Sequence, residues 1–176
     1  MPTSLSPVGR PAAVDAVAPR AFKDLFRHHP AGVAIVTLAG PGGEPVGFTA
    51  TSVISVSAEP PILAFSVTQT SSSLAALQQA TTGIVHFLGE AHADLSTRFA
   101  TPGIDRFAGV AWDRLPTGEP LLSDVDAWAR IELLDRIPAG SSYLVLAGVT
   151  AISDHGSRAE QAPRLVYADR TYRRLS

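Results

Sequence analysis

The chain has 176 residues, 45% of them hydrophobic and 17% charged, a composition that suits one compact domain with a sizeable core. Fourteen basic against sixteen acidic side chains leave a formal charge of −2, so no global field draws in nucleic acid or an anionic membrane. Cysteine is absent, which excludes a disulfide framework, a zinc–thiolate site, an iron–sulfur cluster and a thiol nucleophile, and leaves any redox chemistry to a borrowed group.

Residues 1–19 are rich in Ala, Pro and Val but are interrupted by Arg10 and Asp15, so they lack the apolar core of a secretory signal and read as a flexible arm. No window reaches the roughly 18 consecutive apolar residues that span a bilayer, and the default address is the cytoplasm. From Arg20 onward, Phe22, Leu25, Phe26 and His29 fall three or four apart, which predicts a short amphipathic helix that caps a core and ends at Pro30-Ala31-Gly32. Residues 33–38 read as a buried strand, and the turn cluster Gly40-Pro41-Gly42-Gly43-Glu44-Pro45 returns the chain into a second strand over 46–56. Pro60-Pro61 precedes another apolar run over 62–67, and Leu74 with Leu77 marks a helix over 73–80. A strand over 83–88 follows, then a helix over 91–100 with Leu95 and Phe99 on one face, ending near Pro102-Gly103. Residues 104–123 read as loop with one short strand. Two long strands, 125–137 and 143–153, are joined by Pro138-Ala139-Gly140-Ser141-Ser142, and 165–168 with 171–175 would close the sheet. Six to eight strands and two or three helices make a mainly β fold, and antiparallel hairpins in that number favour a closed barrel, since closure removes unpaired edges.

Hydroxyl side chains crowd into residues 49–73. Gly47-Phe48-Thr49-Ala50-Thr51-Ser52-Val53-Ile54-Ser55-Val56-Ser57 alternates small polar with apolar residues, so one face would present hydroxyls; an ordinary half-exposed strand shows the same alternation. A second cluster, Ser71-Ser72-Ser73, stands at a helix start, where unpaired N–H groups and partial positive charge can hold an anion without lysine. Simple N-capping would need only one of those serines. The two clusters together point to a phosphorylated cofactor. His28, His29, His86, His92 and His155 show neither helical pairing nor the carboxylate spacing of a metal site. There is no Gly-x-Ser-x-Gly elbow, and the glycines at 40, 42 and 43 precede Pro45 in a hairpin rather than opening a helix, which removes the serine-hydrolase and dinucleotide-fold readings. Arg164, Arg170, Arg173 and Arg174 make the C-terminal end basic, which reads as a solvated strand edge or as a reach toward a phosphate. Arg98-Phe99 and Asp105-Arg106-Phe107 repeat an arginine–aromatic pairing whose plain reading is an ion pair with packed rings.

Phe26-Arg27, Pro30-Ala31-Gly32-Val33-Ala34-Ile35-Val36-Thr37, Gly47-Phe48-Thr49-Ala50-Thr51-Ser52, Ser55-Val56-Ser57, Pro60-Pro61, Ser71-Ser72-Ser73, Arg98-Phe99, Asp105-Arg106-Phe107 and Tyr172-Arg173-Arg174-Leu175 stand in the order seen in short-chain flavin reductases. From about residue 20 to its end the chain resembles that family, so 20–176 would form one flavin reductase-like FMN-binding domain. The resemblance implies the FMN-binding split β-barrel with two or three flanking helices, usually a homodimer with the flavin near the subunit interface. It implies that Thr51, Ser52, Ser71, Ser72 and Ser73 hold the flavin phosphate and that the isoalloxazine edge lies along Thr49, Ala50, Thr51, Ser52 and Val53. Further flavin contacts would come from Ser55, Ser66, Arg98 and Phe99. No catalytic acid or base is implied, because hydride passes directly from nicotinamide C4 to flavin N5 across rings stacked about 3–3.5 Å apart. The implied flavin is FMN, with FAD as the alternative, and the donor is NADH or NADPH. A pocket with few charges would hold FMN loosely, as suits a reductase that releases reduced flavin to a partner monooxygenase.

The chain departs from the family pattern at three places. The usual Gly-Asp-His turn, associated with the pyridine nucleotide, reads Gly140-Ser141-Ser142; a strand that commonly carries Asn reads Val85-His86-Phe87; and Tyr-His-x-Gly-x-Tyr reads Tyr167-Ala168-Asp169-Arg170-Thr171-Tyr172. Gly140, Ser141, Ser142, Tyr172 and His86 are the expected nicotinamide side, with His86 either replacing the lost imidazole or serving as a core histidine. The leading expectation is an NAD(P)H-dependent flavin reductase. A specialised FMN-dependent oxidoreductase acting on a pathway metabolite, and a non-catalytic split-barrel protein binding flavin or haem, are the competing readings.

Overall fold

Turn chemistry and strand length account for most of the architecture in the computed structural model, which describes residues 17–153 and 163–174. Most of the expected arm, residues 1–16, lies outside the described residues, as do His155 and Leu175. After α1 (Pro19–Arg27) and the short β1 (Ala31–Gly32), β2 (Ala34–Ala39) and β3 (Pro45–Ala50) form a hairpin, with Gly43 at φ +81° in its turn. β4 (Ile54–Ala58), β5 (Pro61–Thr68), β6 (Thr82–Phe87), β9 (Trp128–Ala139) and β10 (Ser142–Ile152) complete a seven-stranded sheet. Its order is β3-β2-β6-β9-β10-β5-β4, antiparallel throughout.

β3 and β4 stand at opposite ends of that order, yet only Thr51, Ser52 and Val53 separate them in the chain. The sheet must therefore curl until its edges approach, and the result is a barrel. The expected single strand over 46–56 is broken for this reason: one strand cannot lie on both edges of a sheet. No strand among the described residues pairs with residues 51–53.

β2 is buried on both faces, which explains its unbroken apolar run. Val36 and Leu38 point into the barrel with Phe48, Phe65, Ile131 and Val145, while α2 (Leu74–Gln79) places Leu77 in the same cluster. Ile35 faces the other way and packs with Phe99, Phe107 and Leu122. That second core is covered by α3 (Ala93–Ala100) and by the hairpin of β7 (Trp112–Arg114) and β8 (Pro120–Leu122).

Several expectations need correction. The region 104–123 holds two short strands rather than one. β11 (Leu165–Ala168) and β12 (Thr171–Arg174) do not close the main sheet; they pair with β1 in a separate three-stranded sheet. Twelve strand segments are present among the described residues, because pieces as short as 31–32, 112–114 and 120–122 fall below the length at which periodicity shows. Most consequentially, α1 caps no core: it buries no residue, and Phe22, Leu25 and Phe26 are exposed in the single chain.

Candidate functional site

The break between β3 and β4 opens onto a cleft of about 850 Å³. Thr51, Ser52, Val53 and Ile54 form one wall with Ser66; Phe22, Lys23, Phe26 and Arg27 of α1 form the opposite one. His29, residues 30–32, Tyr167 and Arg170 complete it. Because residues 51–53 lack a strand partner, their backbone is available to a ligand on that wall, with apolar side chains beside it. The volume lies within the roughly 300–1,000 Å³ typical of cofactor sites. A flat heterocycle with polar edges fits such a wall.

Ser52 has a structural task in the cleft. Its Oγ accepts the Ser66 N–H at 2.8 Å and donates to the Ser66 carbonyl at 3.3 Å, so one hydroxyl satisfies the edge of β5 just beyond the first β4 pair, Ile54 with Ala64. Thr51 and Ser66 expose their side chains there. Thr49 is turned away, donating to the Ser96 carbonyl at 2.7 Å, and Ala50 is buried in the barrel core. Ser55 is exposed on β4 outside the cleft lining.

The second hydroxyl cluster serves a different depression of about 340 Å³, where Ser72 and Ser73 face Pro45, Val46, Gly47 and the loop 103–107. Ser72 is exposed. Ser73 is buried, and its Oγ accepts a hydrogen bond from Arg106 Nη1 at 3.2 Å, while Ser71 Oγ accepts the Ser73 N–H at 3.2 Å. Arg106 also donates to the carbonyls of Gly47 and Thr101, and desolvation lowers its pKa from the ordinary value.

Three expected contacts are instead structural. Arg98 clamps the carbonyls of Asp105, Arg106 and Ala108, and Phe99 is fully buried against Phe107 at a ring separation of 5.0 Å; neither reaches the cleft. His86 is a core histidine. It is fully buried, its Nδ1 lies 3.2 Å from the Ile35 carbonyl, and its Nε2 accepts the Leu122 N–H at 3.0 Å. Burial lowers its pKa to about 4 against a weaker upward pull from the Ile35 carbonyl, so the ring is neutral near pH 7. It cannot stand in for an imidazole lining an open subsite.

The turn Gly140-Ser141-Ser142 sits at the end of β10 beside Thr68, with the Gly140 and Ser141 carbonyls held by Gln69. Tyr172 lies on the three-stranded sheet, its hydroxyl 2.8 Å from Ser96 Oγ and its ring against Tyr167 at 5.2 Å. No hydrogen bond or ring contact joins that turn to Tyr172 among the described residues. Thr51, Ser52, Val53 and Ser66 are thus brought together as expected, whereas the α1 side chains and Arg170 enter unforeseen. The signal for them is an amphipathic helix whose apolar face stays exposed among the described residues.

A family profile described as "Flavin reductase like domain" matches residues 26–176. An NADH:FMN oxidoreductase of Rhodococcus qingshengii is 42% identical over 154 residues, covering 86% of this chain and 80% of that protein. The stachydrine N-demethylase reductase subunit Stc3 of Rhizobium meliloti is 39% identical, covering 81% of this chain and 62% of the relative. Among solved structures, a flavin reductase domain protein from Arthrobacter sp. FB24 superposes with a TM-score of 0.80 at 35% identity, covering 89% of this chain and 95% of that one.

Proposed function

This chain belongs to the flavin reductase-like family and is an NAD(P)H:flavin oxidoreductase using FMN and NADH; from that premise we propose that it is the reductase of a two-component system, supplying reduced FMN to a partner monooxygenase in the cytoplasm. The observation that carries this reading is the cleft at the β3–β4 break, with its strand-free wall of Thr51, Ser52 and Val53. In this reading Thr51, Ser52 and Val53 would hold the flavin ring, and the exposed Ser72 hydroxyl would hold its phosphate.

When bound, FMN supplies a ring that accepts hydride and passes electrons onward. The chain's task is then positional. Thr51 and the backbone at 51–53 orient the polar edge of the ring, Val53 and Ile54 with Phe22 and Phe26 exclude water, and the Ser52 clasp on Ser66 keeps the wall rigid. Few groups are poised for a permanent anchor. Ser73 is already committed to Arg106, which leaves Ser72 as the open hydroxyl of that depression and supports a flavin held loosely enough to leave.

The outward face of the sheet supports a homodimer. Val145 and Ala147 point inward, so their neighbours Leu144 and Leu146 point out, in register with Ile137 on β9 and with Ser66 and Ala64 on β5. Ile54 continues the row opposite Ala64. Ser66 and Ile54 also line the cleft, so an interface on this apolar face would run to the edge of the flavin site.

The test is anaerobic stopped-flow mixing of the protein and FMN with NADH and, separately, NADPH. Rapid, saturable bleaching of the flavin is expected, with a dissociation constant for FMN in the micromolar range. Flavin that binds but is reduced by neither nucleotide would move the reading to a specialised flavoenzyme. Binding far tighter than micromolar would argue for a resident prosthetic group instead.

A further inference from the structure

The α1 helix and the β11–β12 turn build a cationic rim on one side of the flavin cleft. Lys23, Arg27 and Arg170 line the cleft itself, and the same three side chains, with Arg20, Asp24 and His28, line an adjoining depression of about 470 Å³. The two elements are tied together: the Asp169 N–H donates to the Arg27 carbonyl at 2.8 Å, and the Asp169 carboxylate is hydrogen-bonded to His28. Counting Arg173, which pairs with Asp169 at 3.2 Å, five cations face two carboxylates on a chain whose formal charge is −2. Asp24 is engaged by Arg27 at 3.1 Å and by Arg20 at 3.9 Å. Lys23 and Arg170 have no carboxylate partner among the described residues.

Arg170 also stands where an arginine is costly. The hairpin turns on Asp169 and Arg170 between the paired residues Ala168 and Thr171, and both turn residues have positive φ, +54° and +60°. That is the two-residue turn that favours Asn-Gly or Asp-Gly, because a Cβ is strained in the left-handed region. Here a long cationic side chain occupies that second position beside the cleft. Strain of this kind is retained where the side chain has work to do.

We propose that Lys23, Arg27 and Arg170 form a subsite for the diphosphate of an adenine nucleotide, the moiety common to NADH, NADPH and FAD. The inference rests on the reading of the cleft as the flavin site. With the FMN phosphate directed toward Ser72 at the other depression, these cations are left for a second anion, and a dinucleotide whose ring enters the cleft would lay its diphosphate across them. This relocates nucleotide recognition from the turn at 140–142, which lacks a charged side chain, to α1 and the β11–β12 turn.

Arg170→Gly separates recognition from folding, since it removes the cation while giving the turn its preferred residue. The expected result is a melting temperature higher by about 2 °C together with a rise of roughly 5- to 10-fold in KM for NADH and NADPH at saturating FMN. Lys23→Ala should raise the same KM without the thermal gain. Calorimetric titration of 5′-ADP should weaken in parallel in both variants. A loss confined to FAD, with FMN and nicotinamide nucleotides unaffected, would assign the subsite to the flavin's own adenylate. Unchanged KM for NADH, NADPH and FAD, with unchanged 5′-ADP affinity, overturns the proposal. Should the wild-type protein fail to oxidise either nicotinamide nucleotide, the functional reading falls, while the 5′-ADP titration still decides the cation site.

Discussion

Ser72 and Ser73 are adjacent in sequence and opposite in commitment. Ser73 is 1% exposed and its hydroxyl serves Arg106, which in turn ties Gly47 to the loop after α3, whereas Ser72 is exposed at the rim of the same depression. Removing the Ser73 hydroxyl leaves a part-buried guanidinium one acceptor short, at a cost of about 1–2 kcal/mol in folding stability. If Ser72 holds the FMN phosphate as proposed, removing its hydroxyl deletes a hydrogen bond to a charged group, worth about 1.5–3 kcal/mol of binding, or roughly 10- to 100-fold in FMN affinity. The two alanine variants should therefore split. Ser73→Ala lowers the urea midpoint with modest change in FMN titration, and Ser72→Ala does the reverse. Equal FMN affinity for Ser72→Ala and wild type would remove this serine from the phosphate site.

At the scale of elements, the three most buried polar side chains of the sheet region dock one hairpin. Thr37 donates to the Pro120 carbonyl at 2.5 Å, His86 accepts the Leu122 N–H, and Glu119 meets Arg130 at 2.8 Å, so β7–β8 is held to β2, β6 and β9 by polar contacts. Burial alone would raise the Glu119 pKa, but hydrogen bonds from Thr117 and Thr82 and the Arg130 charge outweigh it and the net shift is downward. Both titrations give the same sign. The folded pKa of His86, about 4, lies below its ordinary 6.5, so its contribution is fully present above pH 6.5 and is lost as the pH falls toward 4; that of Glu119 is lost further down, below its ordinary 4.5. At about 1.4 kcal/mol per pH unit, His86 should remove roughly 2 kcal/mol of stability between pH 7.5 and 5. Urea midpoints at the two pH values measure it, and His86→Gln should flatten the difference while lowering stability at pH 7.5. A second element contact is as tight: a Cβ on Gly47 of β3 would lie 2.6 Å from the Phe99 ring of α3, so Gly47→Ala should destabilise by about 1–3 kcal/mol in the same assay. These elements differ in how far the sequence discloses them. β9 and β10 follow from length and from the Pro138-Ala139-Gly140-Ser141-Ser142 turn, and the core role of His86 was one of two readings because its strand neighbours are apolar. The break at 51–53 was hidden, since the polar–apolar alternation runs on while the chain changes from one sheet edge to the other, and only strand order reveals that change. The same limit hid the cleft wall supplied by α1, which periodicity assigns to a core that another part of the molecule would have to provide.

Among the described residues two apolar surfaces stand uncovered beside the cleft. One is α1, with Phe22 and Phe26 in ring contact at 4.7 Å; the other is the outward sheet face, where Ile54 is 57%, Leu134 56% and Ile137 39% exposed. Leu134 is the residue left over where the register of β9 and β10 shifts, and it leans over Gly148, widening the apolar face rather than breaking it. A face of aliphatic side chains with Ser66 and Ile54 at its margin is what two copies would bury, and the clefts of both would then be completed at their junction. Leu134→Lys with Ile137→Lys places two charges of each copy in that junction without touching the barrel interior, because both side chains point outward. Sedimentation analysis should show a dimer for the wild type at micromolar concentration and a folded monomer for the double variant, with circular dichroism unchanged. FMN affinity should fall at least tenfold in the monomer although both substitutions lie outside the cleft lining. A monomeric wild type would sink the dimer reading, and full FMN affinity in a monomeric variant would show that one chain holds the flavin alone.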